Sequence, residues 1–194
     1  MGISAASIVE DLEALRAQTA RLVDRYRQPV LAERYIRGRE VTVGVLGNLT
    51  PRAARRLSDR TAPHVLPAGL TCFPPLEVDM SAYATAEAGL YTSRIKVELA
   101  ESFHYICPAN LEDELVDRLG RLSAAAFRVM GCCDVARVDF RLDAGNGDAP
   151  TILEINPLPG LNPDYSDLPL EAYAAGWSYR KLIGTLVDLS LIHI

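Results

Sequence analysis

At 194 residues, the chain is long enough for one sizeable domain with a real core. Its 49% hydrophobic and 23% charged content are ordinary for a globular protein, and a net charge of −5 argues against a general nucleic-acid surface. No apolar run approaches the roughly 18–20 residues that span a bilayer, and no basic stretch followed by an apolar core marks a secretory signal. The chain therefore reads as cytoplasmic, with neither membrane nor nucleic acid as a partner. Its four cysteines (Cys72, Cys107, Cys132 and Cys133) have no metal-ligand spacing and read as reduced, small core residues.

A helical pattern opens at Ser7 and runs to about Tyr26, with Ile8, Leu12, Leu15, Leu22 and Val23 at helical spacing. Acidic residues come early and arginines late, as the helix dipole favours, and Pro29 stops it. Val30 to Ile36 reads as a strand, Arg37-Gly38-Arg39 as a tight connection and Glu40 to Leu46 as the returning strand, with Gly47-Asn48 a turn signal. From Thr50 to Pro75 proline and arginine are frequent, and only Val65-Leu66 is strand-like. Arg52, Arg55, Arg56 and Arg60 there read as a solvated loop or as a contact with substrate or partner. Tyr83 to Glu101 has weak periodicity and reads as a loop.

A strong helix spans Leu111 to Met130, with Asn110 as its cap, acidic residues in its first turn and Gly131 at its end. Leu115, Leu119, Leu122, Ala126 and Phe127 form its apolar stripe. Strands Cys133–Leu142 and Thr151–Ile155 follow, then a Pro159-Gly160 turn and two short helices, Leu168–Ala175 and Ser178–Asp188. The order implies an α+β fold, a mainly antiparallel sheet packed against helices.

The chemistry concentrates in the last two strands. Residues two apart share a face of a strand, so Arg137 pairs with Asp139 and Glu154 with Asn156 on one polar side. The Gly-containing run Asp143–Pro150 could join the two strands as a hairpin. Three oxygen-bearing side chains would then converge beside a guanidinium, and all-oxygen sets suit Mg²⁺, which keeps waters and substrate phosphates as its other ligands. The bland alternative is a pair of amphipathic strands with solvated outer faces. Against it, Val138, Phe140, Leu153 and Ile155 supply a full apolar inner face.

The Arg-x-Asp strand, the Glu-x-Asn strand and the Pro-Gly turn resemble the C-terminal part of an ATP-grasp enzyme, most similar to the D-alanine–D-alanine ligases. Val30 to Gly44 resembles the family's adenine-binding strand pair, and Tyr105-Ile106-Cys107-Pro108-Ala109 the segment before its penultimate helix. The resemblance implies an ATP-dependent carboxylate–amine ligase acting through an acyl phosphate on small-molecule amino acid substrates, with ATP and Mg²⁺ (or Mn²⁺) required. It implies Asp139, Glu154 and Asn156 as metal ligands, and Arg137 with the Gly160 N–H as oxyanion donors. Glu33, Tyr35 and Ile36 would line the adenine and ribose pocket. Glu40 would take the ribose hydroxyls, or else pair with Arg39 or Arg37 at a strand end. Lys96 or Arg94 would contact phosphate, or else be a surface cation. Ser166 would serve the second substrate.

Asn162, Asp164 and Asp167 depart from the family's usual turn and suggest an acidic pocket for a cationic amine, so an ATP-grasp ligase for another amino acid or peptide stays open. Met1-Gly2-Ile3-Ser4 resembles the exit from the family's glycine-rich loop. On this resemblance residues 1–188 are a partial ATP-grasp domain lacking that loop and the N-terminal domain through which family members commonly dimerise. Such a fragment would be inactive alone; a short nucleotide-binding chain without turnover is the third reading. Leu189 to Ile194 matches an in-frame reading of a transposon end used in sequencing libraries and reads as an adaptor tail, with a natural apolar helix end as the alternative.

Overall fold

The computed structural model describes residues 7–48, 69–79 and 104–191. Lys96, Arg94, the four arginines between 52 and 60, Val65-Leu66, the 83–101 loop and the first and last few residues lie outside them. The chain divides into two compact units, Met1–Ile36 with Asp79–His104, and Arg37–Val78 with Tyr105–Ile194.

In the first unit, helix α1 spans Leu12–Tyr26. It starts at residue 12 because Asp11 caps it, its Oδ1 accepting from the Ala14 N–H at 2.7 Å, and it ends at Arg27 in the left-handed conformation. None of its side chains is buried. Together with Gln28 to Glu33 it walls a groove of about 400 Å³. Val30–Ile36, expected as a strand, forms none. The returning strand has no free edge to offer it: β1, Gly38–Gly47, is paired on both sides, and the expected connection at Gly38-Arg39 is its first turn of ladder.

The second unit is built on β1. Along one edge it pairs antiparallel with β3 (Leu76–Asp79) and β2 (Leu70–Cys72), two strands not anticipated, and along the other with β5 (Val135–Asp143). A short 3₁₀ turn, Ala144–Asn146, leads from β5 into β6 (Ala149–Asn156), the expected hairpin. With β4 (His104–Ile106) the described sheet runs β4-β3-β1-β5-β6, β2 lying beside β1.

Period-two alternation separates the two faces. Val41, Val43, Val45, Ala136, Val138, Phe140 and Leu142 form one, and α2 (Asp113–Val129) covers it with Leu119, Ala124 and Phe127. Each large side chain so buried contributes roughly 1.5–3 kcal/mol. The stripe expected on α2 is the one used, but Glu112 is its N-cap and no side chain caps it. Asn110 instead offers its carbonyl to Arg39, whose guanidinium forks onto Glu77 at 2.8 and 2.6 Å. Leu153, expected on the inner face, is the extra residue of a β-bulge: Glu154 faces Asp139 while Ile152 faces Phe140. Leu153 is consequently exposed. Cys133 is exposed too rather than a core residue, while the other three cysteines are half-buried, and all four are free thiols.

The opposite face carries Glu40, Thr42 and Gly44 of β1. Helices α3 (Asp167–Ala174) and α4 (Tyr179–Leu191) close one end of it over Leu46, Phe73, Leu168, Ala172 and Leu182. Phe73 and Trp177 meet edge to face, 5.2 Å apart. Leu189, in the stretch read as an adaptor tail, continues α4 and packs against this cluster. Among the described residues no helix is long and apolar enough to cross a membrane.

Gly44 is where this face is tightest. A Cβ there would stand 2.4 Å from both the Glu171 carboxylate and a Leu168 methyl. Gly44→Ala should therefore destabilise the chain by about 1–3 kcal/mol through overpacking, read as a lower urea midpoint at unchanged m-value.

Candidate functional site

The bulged register of β5 and β6 brings four of the expected residues together. Arg137 lies opposite Asn156, and Asp139 opposite Glu154. Arg137 donates through Nε and Nη2 to the two oxygens of Asp139, both at 2.7 Å, a bidentate geometry that fixes both groups. Asn156 Nδ2 donates to Asp139 Oδ2 at 3.2 Å and to Glu154 Oε1 at 3.0 Å. The β1 partners across from Arg137 and Asp139 are Gly44 and Thr42.

Two acidic residues of α3 complete the cluster, and sequence reasoning gave neither this role. Asp167 Oδ2 accepts from Arg137 Nη1 at 2.8 Å. One helical turn on, Glu171 is fully buried; its Oε1 accepts from the Thr42 hydroxyl at 2.6 Å and its Oε2 from the Gly44 N–H. A signal was present: Glu171 shares a stripe with Leu168 and Ala172, and an acid among core-facing helical positions implies a buried carboxylate with partners. Of the acidic residues expected to line a pocket in this turn, Asp167 has its carboxylate on Arg137. In the same turn, Asn162 Oδ1 accepts from the Asp164 N–H at 2.9 Å.

Ser166 Oγ accepts from the Asn162 N–H at 3.0 Å and bridges the turn. A Cβ on Gly160 would come within 2.7 Å of that Oγ, so a glycine is needed at 160 to admit Ser166 as well as any substrate. Glu40 is ion-paired with Arg141 at 2.9 Å, its cross-strand neighbour, rather than with Arg39 or Arg37. Glu33, Tyr35 and Ile36 belong to the first unit and Glu40 to the second.

Burial works against the Arg137 charge, but the Asp139 hydrogen bonds and the charges of Asp139, Asp167 and Glu171 raise its pKa overall. Burial pushes Asp139 above the usual aspartate range against the pull of Arg137, with Glu154 adding to the rise. Glu171 is pushed up to about 8 by burial, with Asp167 adding to the rise, while the Thr42 and Gly44 hydrogen bonds and Arg137 oppose it.

Among the described residues no group of three or more His, Cys, Asp or Glu side chains could hold a metal. The available donor set is two carboxylates, Asp139 and Glu154; Asn156 turns its Nδ2 toward both, and a flip of its amide would bring its oxygen to join them. Hard oxygen donors of this number fit an ion that fills its shell with water and phosphate.

The family model described as D-ala D-ala ligase C-terminus matches residues 74–188, which include all of β5, β6, α3 and the turn between them. The chain belongs to this family. A D-alanine–D-alanine ligase from Bordetella petrii is 34% identical over 188 residues, covering 97% of this chain and 48% of that protein. An uncharacterized protein, y4sG, from Sinorhizobium fredii is 33% identical over 183 residues, covering 94% and 47%. The chain therefore spans about half the length of these curated relatives. A D-alanine–D-alanine ligase structure from Bacillus anthracis, complexed with ATP, shares the α+β fold at a TM-score of 0.64, with 23% identity, 94% coverage of this chain and 48% of that one.

The sign of the pH dependence follows from Glu171. Between the ordinary glutamate value of 4.5 and about 8, the folded chain holds a proton that the unfolded chain has released. Stability from this group is thus full at the acidic end and is lost as pH rises through about 8, with a slope of at most about 1.4 kcal/mol per pH unit. Urea unfolding across pH 5–9 should show this fall in the wild type, and Glu171→Gln should remove it; parallel profiles for the two chains would refute the assignment.

Proposed function

We propose that the chain is the C-terminal, ATP-grasp part of an ATP-dependent carboxylate–amine ligase of the D-alanine–D-alanine ligase type. The observation that carries this reading is the pairing of Arg137 with Asn156 and of Asp139 with Glu154 on one sheet face, inside the segment matched by the family model. In the proposed reaction a carboxylate oxygen attacks the γ-phosphorus of ATP and ADP departs. The amine of the second amino acid then attacks the acyl carbon, loses a proton, and phosphate leaves. Negative charge builds in both steps, so fixed positive charge and N–H donors supply most of the help.

Mg²⁺ (or Mn²⁺) held by Asp139, Glu154 and Asn156 would neutralise the β- and γ-phosphates. Arg137 and the Gly160 N–H would face the oxyanion of the tetrahedral intermediate. Ser166, on the turn beside Gly160, would meet the second substrate. Glu33, Tyr35 and Ile36 would line the adenine and ribose site, Glu40 would accept from the ribose hydroxyls, and Lys96 would contact phosphate. D-alanine, the amino acid in the name of the Bordetella petrii relative, is the expected amine.

Two experiments test this. The 194-residue chain should bind ATP in a Mg²⁺-dependent manner, and Asp139→Asn should abolish that dependence; unchanged binding would remove Asp139 from the site. In the complete protein, D-alanine should drive phosphate release, and Arg137→Met should lower kcat by about 10²–10³, the usual cost of losing one oxyanion donor. Strict use of a different amine would overturn the substrate assignment alone.

A further inference from the structure

We propose that Asp167 is a positioning residue that holds the Arg137 guanidinium independently of Asp139. The geometry is a clamp. Arg137 Nε and Nη2 lie on Asp139, while Nη1 lies on Asp167, from a different element, at 2.8 Å. Arginine and both acids have side chains no more than 16% exposed, so water is a poor substitute for either partner.

Both Asp139 oxygens accept from Arg137, so a cation at Asp139 would compete with the guanidinium for the same carboxylate. When it turns to a cation, an arginine held from one side only would lose its anchor and move. Asp167 supplies the second anchor, and its own position is well determined. It opens α3, where a carboxylate is favoured by the helix dipole, and Glu171, one turn later on the same face, ties that helix to Thr42 and Gly44 of β1. Five N–H donors in a fixed fork allow arginine to keep Asp167 and still direct two N–H groups elsewhere.

The role of Asp167 toward a cation rests on the ligase reading; its anchoring of Arg137 does not. The test is the side-chain Nη1–H resonance of Arg137, the group that donates to Asp167, in the ¹⁵N-labelled 194-residue chain, identified by its absence in Arg137→Lys. Without Mg²⁺, Asp139→Asn should keep a sharp, slowly exchanging signal because Asp167 still holds the group. Asp139→Asn with Asp167→Asn should lose it. A signal lost already in Asp139→Asn, in a chain that remains folded by circular dichroism, would overturn the proposal.

The second arm adds Mg²⁺ and ATP. The wild type should keep the signal at a shifted position, Asp167→Asn should lose it, and Asp167→Glu, which restores the charge, should recover it. A purely structural role for Asp167 at the start of α3 would alter the signal equally with and without Mg²⁺, and that result would also overturn the proposal. Should the wild-type signal not respond to Mg²⁺ at all, the metal assignment of Asp139 fails, and the first arm decides the anchoring by itself. If Asp139→Asn does not fold, retention of the signal in Asp167→Asn with Mg²⁺ and ATP overturns the proposal, and its loss there with recovery in Asp167→Glu supports it.

Discussion

The arrangement of this face depends on one buried carboxylate. Between its pairings with β3 and β2, strand β1 leaves the Gly44 amide without a ladder partner, and Glu171 of α3 takes it together with the Thr42 hydroxyl. An unpaired backbone amide at that depth would cost about 1–3 kcal/mol, and so would a carboxylate without donors. Each group therefore requires the other. Their union decides where α3 lies, hence where Asp167 begins it, and hence which way the Arg137 guanidinium points. Gly44 has no side chain because the carboxylate occupies the space a Cβ would need.

The same cluster shows how several acidic side chains can be held close together on one face. Asp139, Glu154, Asp167 and Glu171 stand close enough to repel one another, and Arg137 answers Asp139 and Asp167 directly. Partial protonation of Glu171 and the forked Arg137–Asp139 bond lower that repulsion.

Much of the architecture was legible because it follows simple periods. The alternation in β5 and the apolar stripe of α2 each identified their elements within a few residues, and the alternation also brought Arg137, Asp139, Glu154 and Asn156 to one face. What escaped was non-local. Nothing in Val30–Ile36 reveals that both edges of the following strand are already taken. The bulge that exposes Leu153 has no breaker residue beside it in either strand to announce it. Glu40 has three arginines within reach in the sequence pattern, and only the register with β5 selects Arg141. Asp167 was read as substrate-facing because its partner lies 30 residues away on another element.

The bulge has a consequence for how the molecule meets copies of itself. Strand β6 forms one end of the described sheet, and Ile152 and Leu153 lie exposed along it. A straight, apolar border of that kind is a template onto which a foreign strand can add. The extra residue bends this border of the described sheet and breaks the regular ladder that an added strand would need. The distortion that seats Glu154 opposite Asp139 thereby also guards the sheet against growing.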